Sequence, residues 1–179
     1  MRCLPLLLLI AAPALAAPRH PSPPHPAPKH TAPDLANAPR SIGKWDAWQA
    51  ATHEETGTLV CYAFTRASAS TPAVPGRSDV ILTVAERPGS RDAVAISAGF
   101  AFTKNAAVAL DAGGTKLEFY TAGRSAFARD GKAAVTAFGK APSAIAHVPG
   151  PRDVMVADTF SLRGFAPAYA AIQKACPPK

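Results

Sequence analysis

The chain has 179 residues, 19 basic against 12 acidic side chains, a formal charge of +7 and 48% hydrophobic residues. That length suits one domain with a short appendage. The charge points to anionic rather than cationic partners. No apolar run reaches the ~20 residues that span a bilayer as a helix, so an integral membrane protein of that kind is not expected.

In chain order, Met1-Arg2-Cys3 reads as a short positive n-region and residues 4–12 as an apolar h-region. Ala14-Leu15-Ala16 supplies the small residues that a signal peptidase requires, so residues 1–16 are assigned as a signal peptide cleaved after Ala16 or Ala17. Residues 17–40 are assigned as a disordered Pro/His-rich linker. Eight prolines between 18 and 39 remove amide donors, and no periodic apolar face is present to offset ordering entropy. His20, His25 and His30 recur every five residues in it, but no acidic or thiol ligand completes a metal site.

Residues 41–179 are expected to form one domain, mainly extended. Residues 58–64 (TLVCYAF) are β-branched and aromatic; 79–86 (DVILTVAE) is a short apolar run stopped by Arg87-Pro88-Gly89. Residues 92–100 alternate Val94, Ile96, Ala98 and Phe100 on one face, the period of a half-buried strand. Residues 108–111 and 116–120 flank Gly113-Gly114, a hairpin signal. Residues 131–139 (GKAAVTAFG) read as a short helix or turn. Residues 145–147 and 153–158 flank a second proline/glycine turn. Residues 165–176 predict a helix: Pro167 falls in its first turn, and Ala168, Ala171, Ile172 and Ala175 form a stripe before Pro177-Pro178 end it.

With Cys3 in the signal, only Cys61 and Cys176 would reach an oxidising compartment, and two thiols allow one intramolecular bridge. In the chain-entropy model so long a closed loop stabilises by roughly 4–5 kcal/mol, less any strain. The expected fold is a mainly β, antiparallel β-sandwich-like domain with a C-terminal α-helix, stapled by Cys61–Cys176.

Trp45, Cys61-Tyr62, Arg87-Pro88, Ser97-Ala98-Gly99-Phe100 and Asp130-Gly131-Lys132 follow one another in an order that resembles the invasion-associated locus B family of exported alphaproteobacterial proteins. The strongest match is Asp158-Thr159-Phe160-Ser161-Leu162-Arg163-Gly164-Phe165, followed by Ala168, Ile172 and Cys176. The resemblance covers about residues 43–177. It implies a compact all-β domain with a terminal helix and a role in the cell envelope; it brings no catalytic residue. Ser125-Ala126-Phe127 and Ala137-Phe138-Gly139 depart from the family pattern.

Catalytic templates fail one by one. Neither Ser97 nor Ser125 stands in a nucleophile elbow. His53-Glu54-Glu55 lacks the second histidine of a zinc protease, and His147 stands alone. No phosphate loop, cofactor motif or metal set is present. Glu54, Glu55, Asp130 and Asp158 would serve a small exported hydrolase only if folding united them; Asp158 reads rather as capping or tying the corner at residues 161–165. Arg87, Arg91, Arg124, Arg129 and Lys132 lie near expected turns and form a candidate anion-binding patch. The expected function is therefore a non-enzymatic periplasmic or secreted binding module, its partner an envelope protein or an anionic glycan or lipid surface. Nucleic acid is disfavoured, since no aromatic residues interleave with the basic ones.

Overall fold

The computed structural model describes residues 38–178; the expected signal peptide, the linker as far as residue 37 and His20, His25 and His30 lie outside them. Ten strands follow in order: β1 (Arg40–Trp45), β2 (Trp48–Glu55), β3 (Thr58–Thr71), β4 (Ile81–Arg87), β5 (Ser90–Ser97), β6 (Ala107–Ala112), β7 (Thr115–Ala122), β8 (Ser125–Ala128), β9 (Ser143–Pro149) and β10 (Met155–Ser161). Helix α1 (Gly131–Phe138) lies between β8 and β9, and α2 (Phe165–Ala175) follows β10. The stretch left open between helix and turn is thus a helix. Strands β1, β2 and β8 had no clear sequence signal, and β1 begins at Arg40, the last residue given to the linker.

All pairings are antiparallel, and the ring β3-β4-β5-β8-β7-β6-β9-β10 closes back on β3. The expected sandwich is therefore corrected to an eight-stranded barrel. Alternation along a strand says that one face is buried, and it reads the same whether the opposite wall is a second sheet or the same sheet curled round. Closure depends on the length of β3. Its residues 61–66 pair with β4, while its far end, residues 67–71, pairs with β10 across a register shift at Thr159/Phe160. Such a bulge bends and twists a strand, which helps a sheet to close. The first half of β3 also pairs with β2, so β1 and β2 extend the sheet beyond the ring.

Inward positions carry the period-two pattern. Leu82 and Val84, Val94 and Ile96, Val108 and Leu110, Leu117 and Phe119, and Ala144, Ala146 and Val148 are all buried in one core. The interior is packed with apolar side chains, as expected for a small barrel. Among the described residues three polar ones share this burial: Thr65, Glu86 and Asp158.

The helices are held at defined points. Asp130 caps α1, its carboxylate accepting from the Ala133 amide at 2.9 Å. Gly131 lies so close to the backbone of β5 that an added Cβ would stand 1.8 Å from the Asp92 carbonyl oxygen. Gly164 precedes α2 with φ +86°, and a Cβ there would stand 2.0 Å from the Trp45 carbonyl oxygen. Only glycine suits that turn. Phe165 then enters the core edge-on to Trp48 (5.0 Å) and to Phe138 of α1 (5.5 Å). Ala168 and Ile172 of the expected stripe are buried, and Pro167 falls in the first turn. Beyond α2, Cys176 is bonded to Cys61 with a Cα–Cα distance of 5.9 Å, the expected bridge.

Candidate functional site

Two buried carboxylates lie towards opposite ends of β3, and each has gathered a different set of partners. Glu86 is opposite Cys61 in the β3–β4 ladder; Asp158 is opposite Ser70 in the β3–β10 ladder. Nine residues of strand separate Cys61 from Ser70, about 30 Å at the usual rise.

At the Asp158 end the pairing is complete. Arg77 donates Nη1–H to Oδ1 and Nη2–H to Oδ2, both at 2.7 Å, and the Ser70 hydroxyl donates to Oδ1 at 2.6 Å. The remaining Arg77 Nε–H reaches the Ala98 carbonyl at 2.6 Å, and the guanidinium lies 4.7 Å from the centre of the Phe100 ring. This bidentate geometry is the strong form of an ion pair, and the aromatic face adds a cation–π contact. Arg124 joins the same corner through the Gly99 carbonyl at 2.7 Å. Asp158 thus ties β10 to the loop that carries Arg77.

At the Glu86 end the pairing is partial. Arg91 Nε–H donates to Oε2 at 2.7 Å, and the Asp92 amide reaches the same oxygen at 3.4 Å. Oε1 is buried and has no hydrogen-bond partner among the described residues. Burial pushes this carboxyl up to about 7; Arg91 opposes the rise and the Asp92 carboxylate adds to it. The cluster continues onto α2. The Tyr169 hydroxyl donates to Asp92 Oδ1, and Arg91 Nη1–H donates to the Cys176 carbonyl at 2.6 Å. Burial and the adjoining carboxylates push the Tyr169 phenol above its ordinary value.

The five residues of the candidate anion patch are distributed over the molecule. Arg87 pairs with Glu55 at 3.1 Å, and Arg91 belongs to the Glu86 cluster at the same end. Arg124 is at the Asp158 end. Arg129 lies on the barrel wall, 5.9 Å from the centre of the Tyr120 ring and 3.9 Å from Glu118. Lys132 stands on the exposed face of α1. It borders a groove of about 470 Å³ that also includes Thr115, Asp130, Thr136 and Lys140.

The four candidate carboxylates do not converge either. Glu54 and Glu55 end β2, Asp130 caps α1, and Asp158 is enclosed against Arg77. Glu55 accepts from His53 at 3.0 Å, and that hydrogen bond, with Arg87 beside it, holds its carboxyl below the ordinary value. His147 faces a second surface groove, of about 350 Å³, over Ala107 and Ala109 and beside Glu118, Arg129 and Met155. Tyr120, Ile145 and Met155 are exposed on this side of the barrel. Among the described residues no group of three His, Cys, Asp or Glu side chains is arranged to hold a metal, and no helix is long and apolar enough to cross a membrane.

Arg77, Glu86, Asp92 and Tyr169 were not singled out from sequence. Glu86 had a signal, since Leu82, Val84 and Glu86 keep one inward phase along β4. Arg77 had none, because it stands in a loop between prolines, glycine and serine. Comparisons with models of protein families, with curated protein sequences and with solved structures return no match.

Proposed function

We propose that this chain is an exported, disulfide-locked barrel that serves as a non-enzymatic binding module of the cell envelope and engages an anionic glycan or lipid surface. The observation that carries this reading is the dispersal of Glu54, Glu55, Asp130 and Asp158, combined with an interior packed by apolar side chains. A hydrolase working through those carboxylates would need two of them to flank one substrate bond; Glu54 and Glu55 are neighbours at the end of one strand and point to opposite faces of it, Asp130 caps a helix and Asp158 lies inside an ion pair. Recognition through the outer surface is the alternative that the architecture favours. The Cys61–Cys176 bridge and the resemblance to the invasion-associated locus B family support the export and envelope parts of the reading.

The α1 groove suits the partner, because Lys132 and Lys140 line it against one acidic residue, Asp130, whose carboxylate is engaged in the helix cap. Vesicle co-sedimentation tests the proposal. The protein should sediment with vesicles containing anionic phospholipid or lipopolysaccharide and not with zwitterionic ones. Binding should weaken as salt rises, since screening shortens the reach of exposed charges. Lys132→Glu with Lys140→Glu should reduce binding by about tenfold or more. Equal binding to neutral vesicles, or none to either, would defeat this partner. Turnover of ester, peptide or glycoside substrates that is lost on Glu54→Gln or Asp130→Asn would restore the hydrolase.

A further inference from the structure

The most unusual group in the molecule is Glu86, a carboxylate with no solvent exposure and with one oxygen unpartnered among the described residues. Its surroundings are shared between strands and helix. From β5, Arg91 and Asp92 face it; from α2, Tyr169 reaches it through Asp92. From β3 its ladder neighbour is Cys61, which is bonded to Cys176 and does not titrate. On its own strand Arg87 turns outward to Glu55. Helix α1 brings the backbone of Gly131 against Asp92, while the Asp130 carboxylate is engaged in its cap and Lys132 is exposed.

Two polar ties hold residues 169–176 to the barrel, and both pass through this cluster. Tyr169 is tied to Asp92, and the Cys176 carbonyl is tied to Arg91. Arg91 in turn is oriented by Glu86 Oε2, and Asp92 lies beside the Glu86 carboxyl. We propose that Glu86 is a proton-operated latch for α2 beyond its first turn: protonated, it lets Arg91 and Asp92 hold the helix down, and ionised, it loosens residues 169–176 while Phe165 and the disulfide keep the helix attached.

The physical basis is the unpartnered oxygen. When protonated, Glu86 carries no net charge, and the Asp92 carboxylate beside it favours that neutral form. Tyr169 donates to the other side of the same carboxylate system. On ionisation two carboxylates stand together with one guanidinium, and the buried Oε1 has no donor among the described residues. An uncompensated buried charge is costly, and the least costly relief is hydration. Water reaches Oε1 if the turn carrying Tyr169 lifts between the two anchors, Phe165 and the Cys61–Cys176 bridge. The first turn of α2 stays in place because Phe165 is locked between Trp48 and Phe138. This latch is independent of the proposed binding function and stands or falls without it.

Hydrogen exchange on the intact oxidised protein, corrected for the intrinsic pH dependence of amide exchange, tests the latch. Amides of residues 169–176 should exchange about tenfold or more faster at pH 8.5 than at pH 5.5, while those of β6 and β7 stay constant. In Glu86→Gln, which keeps shape and removes the titration, that difference should vanish. A titration of the unmodified protein by carboxyl-carbon NMR covers the case in which the variant fails to fold. The Glu86 resonance and the α2 amide shifts should then follow one midpoint near neutrality. Uniform exchange across the helix at both pH values, an undiminished difference in Glu86→Gln, or a Glu86 midpoint with no matching change in α2 would each overturn the latch.

Discussion

Asp158 and Glu86 are both carboxylates shut off from solvent inside one barrel, but their surroundings solve the burial problem to different degrees. Asp158 has a donor on each oxygen, a second donor on Oδ1, and a guanidinium whose own spare N–H is satisfied by a carbonyl. Glu86 has a cation at a similar distance, yet every donor goes to a single oxygen. A nearby opposite charge does not by itself settle a buried carboxylate; each oxygen requires a hydrogen bond to replace the water it lost. Arg77 is nearly buried with its partner, whereas Arg91 keeps 30% of its side chain exposed, so part of its charge is spent on solvent. One end of β3 is a fixed tie and the other is responsive.

The widest separation between the two ends should come from their strongest constraints. Replacing Cys61 and Cys176 together by alanine removes the staple at the Glu86 end. It should cost up to about 4–5 kcal/mol of unfolding free energy, read from denaturant midpoints. A loss under about 1 kcal/mol would mean that the Glu86 end holds without its covalent staple. At the other end Arg77→Met leaves Asp158 buried and unpaired and should cost about 3–5 kcal/mol. Comparable stability in Arg77→Met would contradict the account of Asp158 as a completed tie.

A smaller effect distinguishes the ends by pH. Folded Glu86 takes up its proton at about 7, against an ordinary 4.5. The folded state therefore binds more protons than the unfolded state between those values. Its contribution is present in full at low pH, is lost as pH rises from about 4.5 to 7, and is level above. The loss should be on the order of 2–3 kcal/mol. Urea midpoints at pH 5 and pH 8 should show this decline in the parent and a flatter profile in Glu86→Gln; parallel profiles would refute it. The smallest effect belongs to the exposed Arg87–Glu55 pair, where Arg87→Gln should shift stability by no more than about 0.5–1 kcal/mol, less in high salt.

The bridge and the C-terminal helix were legible because they rest on local patterns, two cysteines beyond the stretch read as an export signal and an apolar stripe closed by prolines. The barrel was not, because ring closure depends on the register of β10 against the far end of β3, and period-two burial is blind to which strands meet. Asp158 was read as capping or tying the corner at residues 161–165, whereas it stands in the inward phase Val156, Asp158, Phe160 and ties β10 to Arg77, a loop residue with no pattern. The motif positions that suggested a family turn out to be points of close approach: Gly131 against β5, Gly164 against Trp45, Gly99 against Ser78. The candidate patch failed to gather because strands send neighbouring turns to opposite rims. Arg91 begins β5, while Arg124 precedes the β8 segment paired with the end of β5.

The 115-residue span between the bonded cysteines has a further consequence. Once oxidised, the chain from Cys61 to Cys176 is a covalent ring that contains β4 to β10 and both helices. A protease that cuts one loop within that ring opens it without releasing a fragment. The nicked molecule keeps its mass, apart from one added water, until it is reduced.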